Sequence, residues 1–249
     1  MKNEHPETST PAWLAALAGL LHDIGKFALR AGERGTREWD DLGRKDYGYY
    51  HALLTADFVE KYVPDPWKGA VKHMAGNHHR PLSRDERIIA LADHLSAGER
   101  ADPTEDTRAA HPGQLLSIFC AVEAEGEQAP EPRYVPLQPL RLDEEALFPG
   151  PELSRVQIWK RYEDMWADFT QEAGQLRQAH ATHGDLPTYL ETLLLLMQRM
   201  TWCLPSAYYH ARPDISLYDH SRMTAALAAV LMDSALDDER LERLGQGPQ

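Results

Sequence analysis

The feature that most restricts the fold is an apolar run ending in charge. The run Trp13–Leu21 leads straight into His22-Asp23, and Lys26 follows three residues on. Leu14, Leu17, Ala18 and Leu21 recur at helical spacing, with Thr10-Pro11 ahead of them as a cap and first-turn signal. An adjacent His-Asp pair on so apolar a helix is unusual. Imidazole and carboxylate together suit a divalent ion such as Mn, Fe, Co, Ni or Zn. Neighbouring residues on a helix diverge, which suits an Asp that bridges two ions while the His binds one. Taken alone, the pair reads first as a buried histidine hydrogen-bonded to its carboxylate partner.

Downstream, helices are expected over about His51–Tyr62, stopped by Pro64-Asp65-Pro66, and over about Trp67–Ala75, ending near Gly76-Asn77. Ser83 and Glu86 make a capping box for a further helix carrying Ile88, Ile89, Leu91, Ala92 and Leu95. Residues 31–48 read as a polar, Gly-rich loop. Beyond 101 the character changes. Pro130, Pro132, Pro136, Pro139, Pro149 and Pro151 break helices, leaving short extended pieces at Leu115–Cys120 and Arg133–Leu140. Helical pattern returns over Ser154–Ala181, Thr188–Trp202 and Leu217–Ala235. The fold expected is mainly α. Core helices span 12–100, a Pro-rich insertion with short strands spans 101–153, a second helical part spans 154–235, and 1–11 and 236–249 are tails.

Along these helices the His-Asp pair is followed by His51, then Asn77-His78-His79, then Asp93 inside ALADHLSAGER. An aspartate among Leu and Ala should not be buried unpaired, and a cation is a good reason for it to be there. The series His-Asp, His, His-His, Asp resembles the HD phosphohydrolase superfamily, in which such residues hold one or two metals. By order and spacing the resemblance carries over to His22, Asp23, His51, His78 and Asp93, with His79 as the second member of its pair. The family's first histidine has no counterpart upstream except His5 in the polar tail. His220, on the Ala-rich helix SLYDHSRMTAALAAVL, is the candidate replacement, which makes the bundle a circularly permuted HD domain. Its alternative is a surface residue beside Asp219.

A narrower resemblance rests on LLHDIGKFALRAG, GNHHRP, IIALADHLSAGER, LLSIFCAV, YVPLQPLRL, TWCLPSAYY and PDISLYDHSRMTAALA. These strings look like the N-terminal part of the large subunit of type III-A CRISPR effector complexes, from about residue 12 to 235. The resemblance implies a nuclease that cuts single-stranded DNA with divalent metals, inside a crRNA-bearing antiviral complex that is switched on by target RNA. It also implies palm domains with a Gly-Gly-Asp-Asp motif, which does not occur here. The expectation is therefore a truncated chain or a split subunit that makes no cyclic oligoadenylates.

In that reading Asp23 bridges two divalent ions. His22, Asp93 and His220 complete one site, and His51 and His78, with His79, hold the other. Lys26, at i+4 from His22, either contacts the scissile phosphate or is a solvated helix-end lysine. Asn77 and Arg80 are candidate contacts to phosphate or sugar. Glu99 and Arg100 read as an internal ion pair, Ser96 and Gly98 as a helix end, and His94 as outer or surface. Tyr47, Tyr49 and Tyr50 either pack in the core or line the His51 cleft.

Composition bounds the partners. A net charge of −13 argues against a stand-alone DNA-coating module but not against a metallonuclease, because bound cations invert the local field. The same charge fits a phosphohydrolase acting on small nucleotides, and a non-catalytic scaffold of the complex is a third possibility. Cys120 and Cys203 are too few and too far apart for a redox pair or a four-Cys zinc site. The polar, acidic N-terminus has no signal-peptide core, and Trp13–Leu21 is far below the roughly 18 residues of a membrane span, so a cytoplasmic chain without a membrane partner is expected.

Overall fold

The computed structural model describes residues 10–36, 45–97, 113–121, 131–181, 185–206 and 213–245. The helices are α1 (Thr10–Leu21), α2 (Ile24–Arg30), α3 (Tyr50–Tyr62), α4 (Asp65–Gly76), α5 (Arg84–Ser96), α6 (Glu144–Leu147), α7 (Arg155–His180), α8 (Leu186–Thr201), α9 (Leu217–Asp233) and α10 (Asp238–Gly245). The architecture is a bundle of helices.

α1 is its central element. Ala12 and every residue from Ala15 to Leu21 are buried, and the helix packs most extensively against α9, then against α4, α5 and α8. That contact needs a small residue. A Cβ on Gly19 would stand 2.9 Å from the Cα of Ala225 in α9. By length and composition Thr10–Arg30 is apolar enough to cross a membrane, which departs from the sequence expectation. Here the run is two helices broken by a turn at His22-Asp23, and most of it is buried within the bundle.

α2 crosses α3 closely because Gly25 has no side chain. A Cβ there would fall 1.9 Å from the main-chain oxygen of His51. Thr55 fastens the crossing. Its hydroxyl accepts from the Gly25 N–H at 3.0 Å and donates to the His22 carbonyl at 2.9 Å. Behind it, Phe27, Phe58, Tyr162, Trp166 and Phe169 form an aromatic cluster that seats α7 on α2 and α3, with the Phe27 and Trp166 ring centres 5.0 Å apart.

α5 begins at the capping box read from the sequence. Ser83 accepts from the Glu86 N–H, and Glu86 reaches back to the Ser83 N–H. The second helical part starts the same way, with Ser154 and Gln157.

Three local features differ from the sequence expectations. Among its described residues the insertion holds only isolated antiparallel bridges, Leu116 to Tyr134 and Tyr134 to Gly150, and Ile118–Ala121 is a 3-10 turn rather than part of a strand. Prolines at 132, 136, 139, 149 and 151 cannot donate to a ladder, so no longer strand pairing is supported. The expected tails are helical at Thr10-Pro11 and over Asp238–Gly245, where Leu241 is buried and Arg84 bonds the Leu236 carbonyl at 3.1 Å. The expected ion pair Glu99–Arg100 and the residues His5, Gly98, His111, His183 and His210 lie outside the described residues.

Candidate metal centre

The turn between α1 and α2 points His22 and Asp23 into the bundle, where both are buried. Three other elements converge on them. α3 opens with His51, the end of α4 delivers His78 and His79, and α5 carries Asp93. α9 contributes His220 from the far end of the chain.

The result is two clusters of ligand atoms sharing one carboxylate. His22, Asp23, Asp93 and His220 form one; Asp23, His51, His78 and His79 form the other. In each, one ligand atom per residue lies within 4.8 Å of all the others. In the first group His220 Nε2 is 3.0 Å from Asp93 Oδ1 and 3.4 Å from Asp23 Oδ2, and His22 Nε2 is 3.4 Å from both carboxylates. In the second, His51 Nε2 is 3.4 Å and His78 Nε2 3.9 Å from Asp23 Oδ1. Asp23 thus offers one oxygen to each group.

The ring orientations suit a cation. His22 Nδ1 donates to the Gly19 carbonyl at 2.7 Å and His78 Nδ1 to the Ala75 carbonyl at 2.6 Å. A proton on Nδ1 leaves a lone pair on Nε2, the outer hydrogen-bonding pattern common to metal-bound histidines. Two pairs of Nε2 atoms then face one another, His22 with His220 at 3.2 Å and His51 with His79 at 3.0 Å. His78 Nε2 is buried with no hydrogen-bond partner among the described residues, which a protein interior rarely tolerates. These imidazole nitrogens and carboxylates fit divalent ions of the Mn, Fe, Co, Ni and Zn type.

The electrostatics separate the groups. Burial alone would lower the His22 pKa, but the Asp23 and Asp93 carboxylates outweigh it and raise it to about 10. Burial would raise Asp23 and Asp93; Lys26 and His22 hold Asp23 well below its ordinary value, and His22 and His220 do the same for Asp93. Burial, reinforced by His22, pushes His78 down to about 3, and His79 is lowered by burial and by His78. The second group's His78 and His79 are therefore neutral and ready to ligate at neutral pH.

Lys26 stands differently from its helix-face expectation. The helix breaks at His22-Asp23, so Lys26 does not stack over His22. Its ammonium, largely buried, pairs with Asp23 Oδ2 at 2.8 Å, which removes the solvated helix-end reading. Asn77 also departs from expectation. Its amide donates to Glu86 Oε1 at 2.8 Å, tying the His78 turn to the start of α5, so that donor is not directed at a ligand. Arg80 is exposed beside His79, against the loop that bears Gly48. Tyr49 lies over His79, with ring centres 4.4 Å apart, and stacks on His51. His94 is exposed. Sequence reasoning missed Thr55, the bond of Glu86 to Asn77 and the side-chain role of Ser96, whose hydroxyl meets His220 Nδ1 at 2.8 Å. Only the placement of Ser96 one turn after Asp93 hinted at it.

Residues 7–98 match the HD domain family. Over that segment the chain is similar to HD domains. The match covers the segment from α1 to α5 and includes every ligand candidate except His220. Beyond the domain, the chain is 28% identical over 263 aligned positions to the CRISPR system single-strand-specific deoxyribonuclease Cas10/Csm1 (subtype III-A) of Methanocaldococcus jannaschii. That alignment takes in 92% of this chain and 30% of the relative. The fold is similar to that of a chain in a crystal structure of a Csm1-Csm4 cassette in complex with cA4, with a TM-score of 0.59 and 21% identity over 92% of this chain and 29% of that one. The apo Csm1-Csm4 cassette gives a TM-score of 0.55 and 23% identity over 93% and 29%. The chain is thus similar to one part of these proteins and spans under a third of their length. His220 on α9, outside the segment that matches HD domains, stands with His22 and Asp93 across the contacts of α9 with α1 and α5.

Proposed function

We propose that this chain is a divalent-metal-dependent phosphodiesterase that cuts single-stranded DNA, acting as the HD part of a type III-A CRISPR large subunit. The observation that carries the reading is Asp23, whose two oxygens face two separate groups of histidines. In this reading His22, Asp23, Asp93 and His220 hold one ion, and Asp23, His51, His78 and His79 hold a second. Ions held there would supply acidification of a water and neutralisation of phosphate charge.

The protein's own groups do the rest. Carbonyl contacts to His22 and His78 hold their rings in place. Lys26, at the shared carboxylate, is the cation proposed to meet the scissile phosphate. Substrate approaches on the side where the centre opens, beside half-buried His79 and by Asp93, whose side chain is 16% exposed against 2% or less for His22, Asp23 and His220. Arg80, exposed next to His79, is the proposed contact to the backbone of the strand. The proposed partners are single-stranded DNA and, in a cytoplasmic complex, the other type III subunits with their crRNA. The relative's name supports this substrate, and the Csm1-Csm4 structures support the assembly.

A second reading, hydrolysis of small nucleotides, is favoured by the net charge of −13, which repels a long polyanion more than a mononucleotide. Incubating the chain with Mn and end-labelled single-stranded DNA, double-stranded DNA or nucleoside phosphates separates the readings. Metal-dependent cleavage of the single strand alone is expected. Release of phosphate or nucleoside from nucleotides with intact DNA would replace the nuclease reading by the second. No hydrolysis of any substrate by the folded, metal-loaded chain would leave only a scaffold role.

A further inference from the structure

His220 is the ligand candidate that arrives from the far end of the chain, and its ring is oriented by hydroxyls rather than by a main-chain carbonyl. Ser96, the last residue of α5, places its Oγ 2.8 Å from His220 Nδ1, 2.8 Å from Thr224 Oγ1 and 3.0 Å from the Asp93 carbonyl. Thr224, one turn after His220 on α9, donates its own proton to the His220 carbonyl at 2.9 Å. Its oxygen is then an acceptor towards Ser96. The Asp93 carbonyl can only accept. The single Ser96 proton therefore has two acceptors in reach, and the Ser96 oxygen is left to receive Nδ1–H from His220.

We propose that Ser96 is the positioning residue of the His22–Asp93–His220 group. It keeps the His220 proton on Nδ1 and so holds the Nε2 lone pair towards a divalent ion. Because the same hydroxyl touches the Asp93 main chain, one small side chain joins two ligands borne on helices far apart in sequence. His22 and His78 obtain the same orientation from carbonyls within their own turns. His220 takes it across the α5–α9 interface, so closure of the first group depends on that interface. Thr224 is the support, and both residues act through His220 rather than on substrate. This inference rests on the reading of His220 as a metal ligand.

The test is a Mn titration of the full chain followed by the EPR signal of free Mn, for wild type, Ser96→Ala, Ser96→Thr and His220→Gln, each with its thermal melting. Ser96→Ala is expected to weaken one class of Mn site about 10- to 100-fold, as loss of an outer partner of a ligating histidine does, and to leave the other class unchanged. Ser96→Thr, which keeps the hydroxyl, is expected to restore the affinity. A merely structural role would weaken both classes together with the melting temperature, and that result overturns the proposal. Wild-type affinity in Ser96→Ala alongside lost affinity in His220→Gln overturns it while sparing the metal reading. Wild-type affinity in His220→Gln removes His220 from the ligand set and this inference with it.

Discussion

His22 and His220 stand 198 positions apart in the chain, and their Nε2 atoms are 3.2 Å apart. Neither helix can hold the other's ring in place. The contact exists because α1 and α9 pack closely, which Gly19 against Ala225 permits. Removing His220 should therefore cost the centre one ion without dismantling the bundle. His220→Ala is expected to lower metal content by about one ion per chain, measured by mass spectrometry of the purified protein, and to reduce cleavage by about 100-fold or more, at or beyond the upper end of the loss when an outer partner of a ligand is removed. Full metal content and rate would remove His220 from the ligand set while leaving the other residues in question.

Asp23 faces both histidine groups, so its loss should affect both. Asp23→Asn is expected to abolish metal-dependent cleavage of single-stranded DNA while the far-ultraviolet circular dichroism stays helical. Unchanged cleavage would rule out the shared-carboxylate arrangement.

Gly25 sets the distance between the Asp23 turn and the start of α3. A methyl group there would meet the His51 carbonyl oxygen at 1.9 Å, a backbone contact that no side-chain rotation relieves. Gly25→Ala should destabilise the protein by roughly 3 kcal/mol, the upper end of ordinary overpacking costs. At about 2–4 °C per kcal/mol for a chain of this size, calorimetry should show a fall of roughly 6–12 °C. A melting temperature within a degree of wild type would show that α2 and α3 are not held this closely.

Metal binding should release a proton from the first group. His22, raised to about 10 by its two carboxylates, carries a proton at pH 8 without a metal and must lose it to ligate. His78 and His79, lowered by burial, are already neutral at that pH and release none. Titration calorimetry in two buffers of different ionisation enthalpy, at pH 8, should report roughly one proton released on filling the His22 group. Buffer-independent heats would contradict this.

The metal-free protein should lose stability towards acid. His78 has a folded pKa of about 3 against an ordinary 6.5, so between these values the unfolded chain binds the proton and the folded chain does not. His79, shifted the same way, adds to this. Each such group lowers stability by up to about 1.4 kcal/mol per pH unit below 6.5. Asp23 and Asp93, held below 3.8, add a further loss only in stronger acid. His22 acts in the opposite sense, since its contribution is complete below 6.5 and is lost as pH rises through about 10. Urea unfolding of chelated protein should therefore give falling stability from pH 6.5 to 4, with the slope reduced in His78→Gln. A flat profile over that range would mean that His78 and His79 are not buried neutral.

Much of the fold and part of the centre are legible in the sequence because their causes are local. The apolar period before His22, the Ser83–Glu86 box and the proline density after 130 each act within a few residues. They determine where helices start, stop and fail. The order His-Asp, His, His-His, Asp follows from the same local reading, since each ligand candidate sits on a helix start, a helix end or an inner face.

What only the tertiary structure decided is which of these groups meet. Local pattern is blind to the crossing of α2 over α3 that Gly25 allows, to the seating of α9 beside α1 that sets His220 against His22, and to the hydroxyl bridge from Ser96. It also misplaced Lys26, because a turn at His22-Asp23 re-aims the ammonium at the carboxylate. Nor does it reveal that the Asn77 amide is held by Glu86 on the next helix. The physical reason is range. Capping and periodicity are settled by neighbours along the chain, whereas the placement of a ligand atom to within an ångström is settled by how close two distant backbones can come.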